Sequence, residues 1–98
     1  MEHQNTIKCK SLVICDEAGL SCIELLPRSE QKPSSISFIG SDGHAYLTIT
    51  SDESTPGLIS IYDKNHNIVL TLGGTDKACG LSLFDKDGNL KMALKTLR

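Results

Sequence analysis

Four cysteines and three histidines are the side chains in this 98-residue chain that could most readily support catalysis or metal binding. The cysteines at positions 9, 15, 22 and 79 have neither the spacing of paired zinc knuckles nor that of a C-x-x-C redox site. Cys22 and His44 are predicted to share one face of a sheet, where a thiol beside an imidazole could act as a nucleophile with its base. We interpret the thiols as structural and expect no enzyme and no catalytic residues.

Two acidic segments have the alternating oxygen side chains that open a calcium-binding loop. They are Asp63-x-Asn65-x-Asn67 and Asp85-x-Asp87-x-Asn89. Neither segment continues with the Gly at the sixth position and the Glu at the twelfth that an EF-hand requires. Because Asp and Asn are also the residues that β-turns prefer, we interpret both segments as turns and predict no metal site and no cofactor.

The composition favours an ordinary globular protein. The net charge is -2, and 39% of the residues are hydrophobic while 22% are charged. A chain without a cationic surplus has no electrostatic attraction for nucleic acid or acidic lipid, so we expect neither as a partner. Residues 1–6 lack the basic and apolar segments of a secretory signal, which predicts a cytoplasmic location.

A turn-like tetrad recurs four times along the chain, with first residues 24, 23 and 22 positions apart. The tetrads are Asp16-Glu17-Ala18-Gly19, Gly40-Ser41-Asp42-Gly43, Asp63-Lys64-Asn65-His66 and Asp85-Lys86-Asp87-Gly88. Apolar residues alternate with others on both sides of each tetrad, and this period of two indicates strands. We predict a single all-β domain over residues 1–98. It consists of four consecutive antiparallel hairpin repeats of 22–24 residues, about residues 11–26, 35–50, 58–73 and 80–95, and has about eight strands. The last residue of each tetrad is expected in the left-handed region, which Gly adopts freely and His adopts more often than most residues.

Pairing the residue before each tetrad with the residue after it places apolar side chains opposite each other. In the last hairpin this register sets Leu83 opposite Leu90 and Leu81 opposite Met92. Nearly every residue on one face of the sheet is then apolar, and short strands in an open sheet have no interior to bury that face. We therefore predict a prism-like or barrel-like sheet completed by oligomerisation, as a homo-oligomer with a trimer favoured over a dimer.

The opposite face has an apolar line beside the predicted loops. It includes the residue before each tetrad, and the first hairpin adds further apolar positions. We predict that this line forms an adhesive interface with another subunit, since exposed apolar patches mark interaction sites. The interface residues are Cys15, Cys22, Ile39, Tyr46, Tyr62 and Phe84.

The run from Gly80 to Leu90, GLSLFDKDGNL, resembles bacterial hairpin-repeat proteins, including tyrosine–aspartate (YD or Rhs-type) repeats and fibre-like β-repeats. Tyr62-Asp63 supplies the dipeptide of such repeats, and the likeness spans about residues 12–95. The resemblance implies a scaffold or shell element, sometimes trimeric. We expect a non-enzymatic structural or protein-interaction module. The alternative is a closed eight-stranded barrel that binds one small apolar ligand.

Overall fold

A computed structural model describes residues 5–98, in which all regular secondary structure is β. The strands are β1 (Leu12–Cys15), β2 (Ser21–Leu26), β3 (Ser34–Ile39), β4 (Ala45–Ser51), β5 (Gly57–Tyr62), β6 (Ile68–Gly74), β7 (Ala78–Phe84) and β8 (Leu90–Leu97). They form one eight-stranded sheet in chain order, each strand antiparallel to the next. The predicted fold class of consecutive antiparallel hairpins is confirmed.

The structure also confirms the predicted turns, in which an Asp carboxylate accepts backbone N–H groups and the last residue of the tetrad is left-handed. In the hairpin of β7 and β8, Asp85 Oδ1 accepts hydrogen bonds from the backbone N–H groups of Asp87 and Asn89, both at 2.9 Å. Asp16 and Asp63 make the equivalent pair of bonds in their own hairpins. The fourth residue of each tetrad has a positive φ: Gly19 (86°), Gly43 (85°), His66 (67°) and Gly88 (86°). These carboxylates therefore stabilise turns, as Asp does when its side chain satisfies nearby backbone donors.

The predicted register within each hairpin is wrong by two residues. In the last hairpin, Leu83 pairs with Met92 and Leu81 pairs with Leu94, whereas the sequence pattern set them opposite Leu90 and Met92. A displacement of two residues leaves each side chain on the same face of a strand, because side chains alternate with a period of two. The apolar face is consequently preserved through the body of the sheet.

The displacement arises from the turn and from a β-bulge beside it. The N–H of Asp85 donates to the carbonyl of Asn89 at 2.9 Å, which closes a three-residue loop in place of the predicted four-residue one. The bulge then adds Lys91 between the Phe84–Leu90 pair and the next pair of the ladder. Every hairpin repeats this arrangement, and the additional residues are Cys22, Tyr46, Val69 and Lys91.

Next to the loops, the bulges place residues on a different face from the one that the sequence pattern predicts. Four residues that the sequence pattern assigned to the apolar face are paired instead with residues assigned to the opposite face. The pairs are Cys15–Ser21, Ile39–Ala45, Tyr62–Ile68 and Phe84–Leu90. One extra residue reverses the alternation of a strand, so the prediction fails only on the loop side of each bulge.

Two rows of apolar side chains cross the whole sheet on one side, with one residue from each strand in each row. The first row is Ile14, Ile23, Phe38, Leu47, Ile61, Leu70, Leu83 and Met92; the second is Leu12, Leu25, Ile36, Ile49, Ile59, Leu72, Leu81 and Leu94. We call these two rows the apolar face. The central row of the opposite face is Val13, Glu24, Ser37, Thr48, Ser60, Thr71, Ser82 and Ala93.

Within residues 5–98 the strands form a single layer, and no second layer of strands packs on the apolar face. Within residues 5–98 no hydrophobic side chain is buried, and Ser60, at 6% exposure, is the one buried polar residue. The radius of gyration is 16.4 Å, compared with about 13 Å for a compact domain of this length. Among the strands of the described part of the chain, β1 pairs only with β2 and β8 only with β7, so the sheet that these strands form has two open edges.

Candidate functional site

The six predicted interface residues lie in one band beside the hairpin loops, which we call the loop-end band. Four of them, Cys15, Ile39, Tyr62 and Phe84, are the last residues of β1, β3, β5 and β7. The other two, Cys22 and Tyr46, are bulge residues of β2 and β4. Cys15 is exposed and the other five are half-buried. The structure thus places the predicted residues along the loop side of the sheet, and their role as an interface stays a prediction.

The apolar face is the larger candidate surface. Leu94, Met92 and Leu12 are 61%, 54% and 47% exposed, and exposure continues to the middle of the sheet, where Ile49 is 36% exposed. Soluble monomers rarely expose contiguous apolar patches beyond a few hundred Å². The apolar face is therefore a candidate interaction surface.

An open groove of about 600 Å³ lies on the apolar face at its β1 side. Its floor includes Leu12, Leu25, Ile36 and Ile49, which are consecutive members of the second apolar row. Ile7, which precedes β1, also lines the groove and is 89% exposed. The groove is part of the apolar face, and its lining suits an apolar occupant.

A polar cluster joins the loops of the second and third hairpins. The imidazole rings of His44 and His66 lie 3.5 Å apart between centroids, and His66 Nε2 is 3.8 Å from Asp42 Oδ2. The hydroxyl of Tyr46 donates to the same carboxylate oxygen at 2.8 Å. Sequence reasoning missed this cluster because the two histidines are 22 positions apart. An alignment of the four repeats could have revealed the cluster, because it sets adjacent loops side by side.

Hydrogen bonding shifts the pKa values of two side chains in this cluster, Asp42 and Tyr46. The backbone N–H of His44 and the hydroxyl of Tyr46 both bond the carboxylate of Asp42 and lower its pKa below the ordinary 3.8. The same bond to Asp42 raises the pKa of Tyr46 above its ordinary 10.0. Both shifts follow from stabilising the charged carboxylate and the protonated phenol. The cluster therefore consists of side chains that connect the second and third hairpin loops.

The structure places Cys22 and His44 on or beside strands that are not neighbours. Cys22 lies in β2, and strand β3 separates it from β4, which begins just after His44. The thiol of Cys22 donates to the carbonyl of Leu20 at 3.7 Å, while the His44 ring packs on His66. Across residues 5–98, the His, Cys, Asp and Glu side chains form no group that could hold a metal ion.

No protein-family model, curated protein or solved structure matches this chain. The resemblance to hairpin-repeat proteins therefore stays a prediction from the sequence pattern. Among the described residues there is no helix that could cross a membrane.

Proposed function

We propose that this protein is a non-enzymatic structural or protein-interaction module that self-assembles through the apolar face of its sheet. One observation carries the proposal. The apolar face presents two unbroken rows of large side chains, yet within residues 5–98 no hydrophobic residue is buried. Burial of apolar surface is the main favourable contribution to folding, so a stable state of this chain requires something to cover that face.

The surface area supports this requirement. The chain exposes 7995 Å², whereas a compact protein of 10.6 kDa exposes about 5,500 Å². The excess is roughly 2,500 Å², and obligate interfaces bury about 1,000 to 2,500 Å² from each partner. One face-to-face interface with another chain would thus bring the exposed area close to that of an ordinary folded protein.

A second copy is the partner that this geometry favours. Both apolar rows have one residue in every strand, so two or three identical sheets can present equal apolar surfaces to a common centre. Such rotational assemblies are the usual form of homo-oligomers. We propose a homo-oligomer, with a prism-like trimer favoured over a dimer, located in the cytoplasm.

Two neighbouring substitutions on β6 test the proposal. Leu70 belongs to the apolar face, and Thr71, the next residue, belongs to the central row of the opposite face. Native mass is measured by light scattering at micromolar protein for the wild type, Leu70→Lys and Thr71→Lys. A lysine at position 70 would place a charge in the proposed interface, whereas a lysine at position 71 would not.

We expect an oligomer for the wild type and for Thr71→Lys, and loss of the oligomer for Leu70→Lys. A wild type that is monomeric and folded at micromolar concentration would overturn the proposal. An oligomer that persists in Leu70→Lys but dissociates in Thr71→Lys would assign assembly to the opposite face instead.

The groove beside β1 favours a second candidate function, binding of a small apolar ligand. The sequence pattern suggested a closed barrel for this role, whereas the groove is an open part of the apolar face. A hydrophobic fluorescent probe that raises the thermal midpoint of a monomer would support ligand binding, because a ligand of the folded state stabilises it. An oligomer that excludes the probe would support assembly.

A further inference from the structure

The two edges of the sheet are open to further strand pairing. All four residues of β1 and all eight residues of β8 are exposed. An edge strand presents unpaired backbone N–H and C=O groups along one side, which makes it a template for another strand. Of the two edges, β8 is the longer, and its two residues on the apolar face, Met92 and Leu94, are 54% and 61% exposed.

The strand directions suit pairing between the two different edges. Eight antiparallel strands in chain order leave β1 and β8 running in opposite directions. Strand β1 of a second copy can therefore lie beside β8 as a further antiparallel strand. The apolar faces of the two copies are then on the same side of the joined sheet. Two like edges can also pair antiparallel about a two-fold axis, but the corresponding hairpin loops of the two copies then lie at opposite ends of the joined sheet, so the hairpin repeat is not continued.

Three junctions inside the chain define the register that such pairing would adopt. These are the junctions where one hairpin meets the next. Each joins a first-row residue of one strand to a first-row residue of the following strand: Ile23 to Phe38, Leu47 to Ile61 and Leu70 to Leu83. Second-row residues pair in the same way two positions further on, as Leu25 does with Ile36. A junction of this type therefore keeps both apolar rows continuous.

Applying this register to the open edges, we infer that β8 of one copy pairs antiparallel with β1 of the next. Met92 then faces Ile14 of a second copy, and Leu94 faces Leu12 of that copy. The partner is another copy of this chain, and both apolar rows pass from one copy to the next without interruption. This inference rests on the proposed self-assembly and adds its contact strands and register.

The central row of the opposite face provides a direct test of the register. In the proposed junction, Ala93 lies opposite Val13 of the next copy. Directly opposed residues in antiparallel strands have Cα atoms about 4.5 to 5.5 Å apart, within the range that a disulfide spans. Neither residue belongs to the apolar face, so cysteine at both positions leaves the two apolar rows intact.

The experiment uses the full chain with its native cysteines, Cys9, Cys15, Cys22 and Cys79, replaced by serine, because all four are free thiols. The double variant Val13→Cys/Ala93→Cys is oxidised under native conditions and analysed by denaturing electrophoresis without reductant. We expect covalent multimers that disappear on reduction. A ladder that stops at three chains identifies a closed trimer, and a longer ladder identifies an open fibre; both outcomes support the junction.

Three control variants distinguish the alternatives. Glu24→Cys/Ser37→Cys bridges an internal junction of the same row, and should oxidise without any increase in mass. Val13→Cys alone would form dimers only if two β1 edges met, and Ala93→Cys alone only if two β8 edges met. Dimers from either single variant, without multimers from the double variant, would overturn the inference.

Hydrogen–deuterium exchange on the unmodified protein provides a second test that does not depend on replacing the cysteines. We expect the amides of residues 12–15 and 90–97 to exchange slowly in the oligomer, and dilution to accelerate both segments together. Edge amides that exchange as fast as loop amides in an oligomer confirmed by light scattering would overturn the edge pairing alone. A monomer at all concentrations would overturn the proposed function as well.

Discussion

The phenol ring of Tyr46 lies against the α-carbon of Gly40, in the space that a Cβ atom would occupy. Gly40 stands where the other three tetrads have Asp. Asp42, two residues later, supplies the carboxylate that bonds the turn. Its Oδ1 accepts a hydrogen bond from the N–H of His44 at 3.0 Å, and its Oδ2 accepts one from the Tyr46 hydroxyl. The second hairpin thus uses a different residue to stabilise the same turn.

This relationship predicts a non-additive pair of substitutions. Gly40→Asp should lower the free energy of unfolding by about 1–3 kcal/mol, because overpacking against a ring is destabilising. Tyr46→Val removes that ring and copies the third hairpin, which has Asp63 and Val69 at these positions. In a double-mutant cycle by urea unfolding, the combined variant should be more stable than the sum of the single effects indicates. Additive effects would contradict the packing account.

The positive φ at the tetrad ends predicts a backbone effect that can be separated from side-chain packing. A Cβ added to Gly88 or to Gly57 would meet no heavy atom within 4 Å, yet only Gly88 has a positive φ, at 86°. Gly88→Ala should therefore lower the free energy of unfolding by about 1–2 kcal/mol, the penalty of the left-handed region. Gly57→Ala is the matched control and should be neutral or slightly stabilising. Both are measured by urea unfolding at one protein concentration, and equal effects would refute the argument.

Acid should destabilise the protein in part through its turn carboxylates. The N–H of Asn89 first, and then that of Asp87, lower the pKa of Asp85 below its ordinary 3.8. A group that binds its proton more weakly in the folded state stabilises folding above its unfolded pKa, and that contribution is lost as pH falls through the folded pKa. We expect the thermal midpoint of Asp85→Asn to fall less than that of the wild type below about pH 4. Asp87→Asn, in the same loop, is the control. A thermal midpoint that falls with pH as steeply in Asp85→Asn as in the wild type would contradict the prediction.

The loop-end band makes a prediction that is independent of the apolar face. If this band contributes to the interface, Tyr62→Ser and Phe84→Ser should each reduce the oligomeric fraction at a fixed micromolar concentration, because each removes a large half-buried aromatic side chain. Analytical ultracentrifugation measures the fraction. Unaltered mass in both variants, together with dissociation of Leu70→Lys, would restrict the interface to the apolar face.

Local features of the fold were predictable because they depend on neighbouring residues. Asp85 and Gly88 identified a turn, and the alternation of residues such as Leu81 and Leu83 identified a strand. The aligned repeats also placed all four hairpins in the correct order. Four of the six loop-end residues were recognised as one line because each directly precedes its tetrad, and the other two, Cys22 and Tyr46, share the third position after theirs.

The register and the contacts between hairpins were decided by tertiary structure. A two-residue displacement leaves the alternating pattern unchanged, so the sequence pattern did not distinguish Leu90 from Met92 as the partner of Leu83. Backbone hydrogen bonding in the turn and the bulge at Lys91 select between them. The contact of His44 with His66 depends in turn on how two hairpins align. The chain by itself thus specified which residues form strands and turns, while the ladder of hydrogen bonds decided which residues face each other, because that choice is made by backbone groups that all residues share.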